Sequence, residues 1–264
     1  MDLGIAGKRA FVSGSTAGIG LAIARALARE GAVVYLNGRT RARVDAAIAQ
    51  IGAEQPGARL TGVAADLGSA AGVAAALEQL PELDILVNNL GIFEARPFAE
   101  IGDDDWQRLF ETNVMSGVRL ARRYLPRMLA RGDGRIIFVS SESAVQIPAE
   151  MIHYGMTKSA QVAVARGLAE LTVGTRVTVN TVLAGPTRSE GVAGFVSGLA
   201  RQTKRDEAAV ERDFFETARP SSLLKRFIEP DEVANLVVYV ASAASSATNG
   251  AALRVDGGVV RAML

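Results

Sequence analysis

Short apolar runs alternate with helix-like segments along almost the whole chain, and this alternation constrains the fold more than any other sequence feature. Runs that stay apolar at successive residues are typical of parallel strands, because crossover helices bury both faces of a parallel sheet. Strands are predicted at 8–13, 32–37, 59–64, 84–88, 135–140, 176–182 and 251–255. Helices are predicted at 18–30, 41–51, 70–79, 103–131, 153–171 and 230–241. The pattern predicts an α/β fold with a doubly wound parallel sheet of seven strands and helices on both faces.

One large domain accounts for the whole chain of 264 residues. Apolar residues make up 49% of it, enough to form a core on each face of a sheet. We therefore predict a single domain over residues 1–264. Residues 188–222 interrupt the alternation with a polar, helix-prone insert, which we expect to form a lid over a substrate site.

Charge and cysteine content argue against several kinds of partner and site. The 29 basic and 28 acidic residues nearly balance, so we expect no nucleic-acid partner. The chain has no cysteine, which excludes disulfides and thiolate chemistry and suits a reducing compartment. No stretch is apolar and long enough to cross a bilayer, and the first residues do not resemble a signal peptide. We expect a cytoplasmic protein with no membrane partner and no metal site.

A glycine-rich turn follows the first predicted strand, with the spacing Gly-x-x-x-Gly-x-Gly. Between a strand and a helix, such a turn lets the backbone approach a diphosphate and directs free helix N–H groups at it. The alternative interpretation is a tight turn without a ligand. Residues expected to contact a dinucleotide here are Gly14, Ser15, Thr16, Gly18, Ile19 and Gly20.

Further short motifs accompany this turn. They are Asn88-Asn89-Leu90-Gly91, Asn113, Ser141, Tyr154-x-x-x-Lys158, Ala184-Gly185-Pro186-Thr187 and Val255-Asp256-Gly257-Gly258. In order and spacing, the set resembles the short-chain dehydrogenase/reductase family in its single-domain form, over practically the whole chain. The resemblance implies a Rossmann-like fold, an NAD(P)-dependent oxidoreductase acting on a small-molecule carbonyl or alcohol, and a homotetramer or homodimer.

Tyr154 and Lys158 are one helical turn apart, so their side chains share a helix face. A free phenol has a pKa of about 10. A lysine cation beside it is expected to lower that pKa and make Tyr154 a general acid/base. The resemblance assigns Ser141 to the substrate oxygen, Asn113 to a water-mediated proton relay to Lys158, and Lys158 also to the nicotinamide ribose. These four residues are the predicted catalytic set.

The residues after the second strand bear on which dinucleotide binds. NAD-binding members of the family carry an acid at this point, whereas this chain has Asn37-Gly38-Arg39. Both Asn37 and Arg39 are expected at the cofactor, and the guanidinium of Arg39 can pair with a 2′-phosphate. NADP(H) is therefore favoured, with NAD(H) as the alternative. Arg41 and Arg43 add local positive charge, and a solvated helix start is their alternative role.

Other cofactor contacts are implied by the resemblance. Asp66 matches the family's adenine-contacting Asp, although an ordinary helix N-cap is its alternative role. Leu67, Asn89, Gly91, Gly185, Thr187 and Ser189 complete the expected set. Leu90 and Ala184 depart from the family's usual alanine and proline beside the cofactor. His153 adjoins Tyr154, but adjacent helix positions point in different directions, so it is expected to be a packing or pocket-wall residue.

The predicted function is hydride transfer between NADP(H) and a carbonyl or secondary alcohol. The alternatives are an enzyme like the 3-oxoacyl-carrier-protein reductases and an NAD-dependent alcohol or sugar dehydrogenase. A different class is a catalytically silent dinucleotide-binding regulatory protein. The complete set of Asn113, Ser141, Tyr154 and Lys158 argues against that class, because a binding protein needs no Tyr–Lys pair.

Overall fold

The computed structural model describes residues 2–263, so Met1 and Leu264, the ends of the predicted domain, lie outside the described residues. The strands of this range are β1 (Arg9–Val12), β2 (Val33–Gly38), β3 (Arg59–Ala64), β4 (Ile85–Asn88), β5 (Asp133–Ser141), β6 (Arg176–Ala184) and β7 (Ala252–Val255). Its α-helices are α1 (Gly18–Arg29), α2 (Arg41–Glu54), α3 (Ala70–Gln79), α4 (Asp103–Phe110), α5 (Ser116–Arg131), α6 (Ile152–Glu170), α7 (Glu190–Thr203), α8 (Glu207–Thr217) and α9 (Pro230–Ala241).

All seven strands form one parallel sheet in the order β3-β2-β1-β4-β5-β6-β7. The predicted fold class is therefore confirmed. The longest pairing joins β5 to β6 along their whole lengths, from Asp133 opposite Arg176 to Ser141 opposite Ala184. The strand order reverses between β1 and β4. In doubly wound sheets the crevice beyond the carboxyl ends of the strands at such a reversal is the usual ligand site.

Each face of the sheet carries its own apolar core. Successive strand residues point to opposite faces, so Val12 and Val87 join the core beneath α1, α2 and α9, whereas Phe11 and Leu86 join the one beneath α3, α5 and α6. These side chains are fully buried. Burial on both faces is why the central strands β1 and β4 are apolar at successive positions, and it holds their carboxyl ends in fixed relative positions.

The predicted helix 103–131 is interrupted, and that prediction was wrong in its middle. Between α4 and α5 the chain forms a wider π-helical turn, Glu111–Met115. Such turns displace one side chain relative to an α-helix and are frequent at functional sites. Here the turn contains Asn113, which is completely buried.

The insert after β6 consists of α7 and α8, as its helix-prone composition predicts. It has a small apolar core of its own, in which Val196, Ala200, Val210 and Phe215 pack with Phe227. The insert is therefore a structured unit and not a loose loop. In residues 2–263 the structure has no helix with the length and apolar character that a membrane crossing needs.

Candidate active site

The glycine turn joins β1 to α1 at the carboxyl edge of the sheet. Gly14 and Gly18 have φ angles of +62° and +55°, a region that glycine adopts without steric cost. The N-cap of α1 is Ala17, which has no side-chain group to bond the first N–H groups, and no acid lies in the first turn. These backbone donors are therefore available to an anion, as the spacing predicts.

Asn37 and Ser15 hold this turn from beneath. The Asn37 Oδ1 accepts from the main-chain N–H of Gly14 at 3.1 Å, and its Nδ2 donates to the carbonyls of Val63 and Ala65. The Ser15 hydroxyl accepts from the main-chain N–H of Asn37 at 2.8 Å. Both side chains are buried and engaged with main chain. In the structure these side chains position the glycine turn, and a contact of either residue with a cofactor stays a prediction.

Asn89 holds the same turn from the side of β4. Its Nδ2 donates to the carbonyls of Ser13 and Gly14 at 3.0 and 3.1 Å. A Cβ added at Gly20 would lie 2.3 Å from the Gly14 oxygen and 2.5 Å from this Nδ2. The helix can approach the turn this closely because residue 20 has no side chain. Leu90, the departure from the family pattern, packs against Gly14.

Of the residues expected around the adenosine, Arg39 and Asp66 have exposed side chains and Leu67 is buried. Arg39 is exposed just beyond β2. Asp66 is exposed after β3, and its Oδ1 accepts from the main-chain N–H of Gly68 at 3.1 Å. The alternative role of Asp66 as a helix cap was wrong, because Ser69 caps α3. Leu67 is buried in the apolar core, so a contact from it would have to come from its main chain.

The segment after β6 approaches the glycine turn. Gly185 lies against Asp256 so closely that a Cβ would be 2.5 Å from the Asp256 carbonyl oxygen. Thr187 is buried and donates its hydroxyl to the Gly185 carbonyl at 2.9 Å. Ser189 caps α7, and a Cβ at Gly18 would lie 3.3 Å from the Ser189 Cβ. The insert therefore begins beside the predicted diphosphate site.

The four predicted catalytic residues come together at this edge of the sheet. Tyr154 and Lys158 lie in the first turns of α6, with the lysine Nζ 5.6 Å from the centre of the phenol ring. Ser141 ends β5, and its hydroxyl is within hydrogen-bonding reach of the phenol. A Cβ at Gly91 would lie 3.3 Å from the Lys158 Nζ and 3.6 Å from the Asn113 Oδ1. The predicted set thus forms one cluster, in which Lys158 and Asn113 lie against Gly91.

Lys158 is 4% exposed, and its ammonium has two acceptors in the protein. It donates to the Val139 carbonyl and to the Gln161 Oε1, each at 3.1 Å. Burial disfavours the charged form and lowers the pKa of Lys158 to about 8, although the negative charge of Glu142 opposes this shift. An ammonium has three N–H donors, so one remains for a further acceptor.

The pKa of Tyr154 is raised above its usual value, contrary to the expectation that Lys158 lowers it. Removal of the phenol from water is the largest cause, and the Glu142 carboxylate adds to it. The nearby Ser141 hydroxyl and the charge of Arg219 act in the opposite direction. The expectation was wrong because the ammonium of Lys158 is directed at other acceptors, while an acid lies near the phenol.

A buried ion pair beside Ser141 is the main feature that the sequence analysis missed. Glu142 and Arg219 are 4% and 6% exposed, and the Arg219 Nε donates to the Glu142 Oε1 at 3.0 Å. Arg219 also donates to the Glu150 Oε1 at 3.1 Å. The other Glu142 oxygen accepts from the Ser141 hydroxyl. Arg219 belongs to the insert, so the pair links the insert directly to a predicted catalytic residue.

Asn113 uses its side chain to hold the loop after β4. Its Oδ1 accepts from the main-chain N–H of Ile92 at 2.8 Å, and its Nδ2 donates to the Ile92 carbonyl and the Thr157 hydroxyl at 2.9 and 3.0 Å. The main-chain carbonyl of Asn113 accepts from the Gln161 Nε2 at 2.6 Å. Gln161 therefore lies between Asn113 and Lys158, the two residues that the expected water relay would join.

His153 is fully buried and packs edge-on against Trp106, with ring centres 5.9 Å apart. Neither of its ring nitrogens has a hydrogen-bond partner among residues 2–263. Burial lowers the pKa of His153, which favours the neutral imidazole. This environment agrees with its expected role as a packing residue.

Comparisons with known proteins identify related oxidoreductases. A family model described as enoyl-(acyl carrier protein) reductase matches residues 14–260. The chain is 47% identical over 263 residues to the uncharacterized oxidoreductase YvaG of Bacillus subtilis, and the match covers 100% of both chains. It is 33% identical to D-beta-hydroxybutyrate dehydrogenase of Cupriavidus necator, covering 96% of this chain and 98% of the other.

Solved structures show the same relationship. The L-sorbose reductase of Gluconobacter frateurii, in a complex with NADPH and L-sorbose, superposes with a TM-score of 0.93 at 34% identity, covering 100% of both chains. The similarity in sequence and in structure extends over the whole chain. The protein therefore belongs to the short-chain dehydrogenase/reductase family of oxidoreductases.

Proposed function

We propose that the protein transfers a hydride between NADP(H) and a carbonyl or secondary alcohol, with Tyr154 as the general acid/base. The observation that carries the proposal is the cluster of Tyr154, Ser141 and Lys158 beside Gly91, at the sheet edge that also holds the glycine turn. A phenol next to a hydroxyl and an ammonium is suited to exchange a proton with a substrate oxygen. A catalytically silent binding protein has no use for this arrangement.

The residues present fit a dinucleotide. The uncapped start of α1 offers backbone donors to a diphosphate, and the absence of a side chain at Gly20 keeps the turn close to the helix. Arg39 is exposed where a 2′-phosphate would be recognised, which supports NADP(H) over NAD(H). The remaining N–H of Lys158 suits a ribose hydroxyl. The bound nicotinamide would supply or accept the hydride.

The raised pKa of Tyr154 bears on the direction of proton transfer. At neutral pH the phenol is protonated, so Tyr154 can donate its proton to a carbonyl oxygen as the adjacent carbon is reduced. In alcohol oxidation the phenol must first lose that proton, which the environment resists. In this structure the Ser141 hydroxyl donates a hydrogen bond to Glu142. It has to rotate toward the substrate oxygen to stabilise the negative charge that develops on that oxygen.

On the substrate side, we propose that residues 188–222 form a lid. Phe93 is 53% exposed and contacts the Tyr154 ring edge-on at 6.2 Å, and Val145 and Ile147 are also exposed in the loop before α6. These side chains would give the substrate pocket apolar walls. Arg219 at the end of the insert would couple the lid to the catalytic cluster through Glu142.

The substrate class is narrowed by the relatives. The likeness to an L-sorbose reductase favours a polyhydroxylated ketone as the first candidate to assay, and the likeness to a hydroxybutyrate dehydrogenase favours a small 3-oxo acid. A 3-oxoacyl-carrier-protein substrate and an NAD-dependent oxidation remain the alternatives. We further propose a cytoplasmic homotetramer or homodimer, as family membership suggests, and light scattering of the purified protein tests the oligomer.

The proposal is tested by assaying ketoses, 3-oxo acids, aldehydes and ketones with NADPH and with NADH, and the matching alcohols with the oxidised cofactors. We expect turnover with NADPH to exceed turnover with NADH. The Tyr154→Phe variant keeps the ring and removes the hydroxyl, and it should lose activity. Equal turnover by Tyr154→Phe and the native protein would overturn the mechanism, and a clear preference for NADH would overturn the role of Arg39.

A further inference from the structure

Gln161 occupies a position that connects two parts of the catalytic cluster. It lies one helical turn after Lys158 on α6 and is 1% exposed. Its Oε1 accepts from the Lys158 Nζ at 3.1 Å, and its Nε2 donates to the main-chain carbonyl of Asn113 at 2.6 Å. The amide therefore spans the gap between α6 and the π-helical turn, accepting on one side and donating on the other.

We infer that Gln161 is a positioning residue that holds the Lys158 ammonium in the catalytic cluster and takes the place of a water molecule between Lys158 and Asn113. The inference rests on the proposed function, because that function gives Lys158 its task. A water molecule could make the same two hydrogen bonds, but an amide does not readily pass a proton from its acceptor side to its donor side. The structure thus replaces an expected proton relay with a fixed bridge.

The bridge has an electrostatic consequence for Lys158. In a buried site, the carbonyl dipole of Gln161 stabilises the ammonium. The other ionisable groups facing this lysine are Tyr154 on the same helix and Glu142 at the end of β5, with Arg219 paired behind it. The loop at Gly91 and the carbonyl of Val139 complete its surroundings without a formal charge.

Two substitutions that keep the length of the Gln161 side chain should shift the pKa of Lys158 in opposite directions. Gln161→Met removes both hydrogen bonds and leaves an apolar side chain, so the pKa of Lys158 should fall below its native value of about 8. Gln161→Glu puts a carboxylate against the ammonium and should raise that pKa by about one unit or more. A side chain that only fills space in α6 would change stability in both variants without producing opposite shifts.

The titration can be read directly on the protein without turnover. The chain has four lysines, so protein labelled with carbon-13 and nitrogen-15 lysine gives a small set of side-chain NMR signals. The Lys158→Arg variant identifies the signal of Lys158. Gln79→Glu, at an exposed position on α3, is the matched control for adding a charge. We expect Lys158 to titrate at the native midpoint pH in this control. The Lys158 midpoint should be lower in Gln161→Met and higher in Gln161→Glu.

Kinetics supply a second readout. In carbonyl reduction, the pH at which kcat falls on the alkaline side of its pH profile should move with the Lys158 midpoint. Gln161→Met should lower kcat about tenfold, with a smaller change in KM for the carbonyl substrate. If Gln161→Glu does not fold, Gln161→Ala replaces it and should titrate below the native protein. Identical Lys158 midpoints in the native protein and the folded Gln161 variants would overturn the inference. Full activity of Tyr154→Phe would instead overturn the proposed function and leave the titration result standing.

Discussion

The cofactor side and the substrate side of the candidate site differ in the kinds of contact that hold them together. The buried part of the cofactor side, which comprises the glycine turn and the ends of β2 and β4, consists of close main-chain contacts and neutral amides such as Asn37 and Asn89, and the charged Arg39 is exposed beyond it. The substrate side, at the end of β5 and the start of α6, contains buried charges, among them Lys158 and the Glu142–Arg219 pair. The geometry of the glycine turn therefore depends on close packing, whereas the substrate side depends on the interactions of its buried charges.

This difference predicts how each side responds to substitution. On the cofactor side a single added methyl group should be harmful, because backbone atoms leave no space for it. On the substrate side a substitution that preserves shape should be harmful when it changes a charge or a hydrogen bond. The following variants test this distinction, from the largest expected effect to the smallest.

Among these variants, the largest effect is expected for Ser141→Ala. Loss of one hydrogen-bond donor at a developing oxyanion costs about 100- to 1000-fold in kcat, and the native fold should be retained. Ser143→Ala, two positions along the chain, is the comparison variant, because Ser143 contacts the Ser141 oxygen through its main-chain N–H and not its side chain. Steady-state kinetics should show a far smaller loss for Ser143→Ala. Equal losses in the two variants would contradict the role of Ser141.

Arg39→Asp should reverse the cofactor preference. The exposed guanidinium is replaced by a carboxylate, which repels a 2′-phosphate and accepts hydrogen bonds from ribose hydroxyls. We expect the ratio of kcat/KM for NADPH to that for NADH to fall by about 100-fold, the size of one strong charge-assisted hydrogen bond. Arg41→Asp is the matched control, since Arg41 pairs with Asp45 on the surface of α2. A similar change in both variants would remove Arg39 from the site.

Gly20→Ala tests the shape requirement of the cofactor side. The new methyl group would meet the Gly14 oxygen and the Asn89 amide, so the turn must shift, at a cost of about 1–3 kcal/mol in unfolding free energy. Binding of NADPH should weaken because the diphosphate donors move with the turn. Gly52→Ala, where a Cβ would contact nothing on an exposed part of α2, should instead stabilise the protein by up to about 1 kcal/mol. Denaturant unfolding and cofactor titration measure both effects.

Glu142→Gln tests the electrostatics of the substrate side without changing its shape. The carboxylate raises the pKa of Tyr154, so its removal should lower that pKa by about one unit. In alcohol oxidation, which needs the phenolate, the rise of kcat with pH should therefore move to lower pH. Arg219→Met removes a charge that lowers the pKa of Tyr154, so it should move the rise to higher pH. Shifts of the same sign in both variants would contradict this account of the site.

Much of the fold follows from local sequence patterns. The strand predictions at 32–37, 59–64 and 84–88 agree with β2, β3 and β4 to within one residue at each end, because apolar runs and their bounding polar residues are local features. The position of the glycine turn is equally local. The π-helical turn was missed, since an apolar pattern does not distinguish a continuous helix from one with a wider turn.

The features of the site that were not predicted from the sequence were missed for one physical reason. Glu142 meets Arg219 77 positions away, and Gln161 meets Asn113 48 positions away. Each residue is ordinary in its own segment, and only the packing of α6 and the insert brings it to its partner. The pKa of Tyr154 was mispredicted for the same reason, because a helical turn places Lys158 near the phenol but does not determine which acceptors its ammonium meets.

The central claim is that the Tyr154 phenol gives its proton to the substrate oxygen during hydride transfer. Single-turnover oxidation of bound NADPH by a carbonyl substrate, followed by absorbance across a range of pH, tests it most directly. The account predicts that Tyr154→Phe is slower by about 1000-fold at neutral pH and still binds NADPH. Equal single-turnover rates in Tyr154→Phe and the native protein would contradict it.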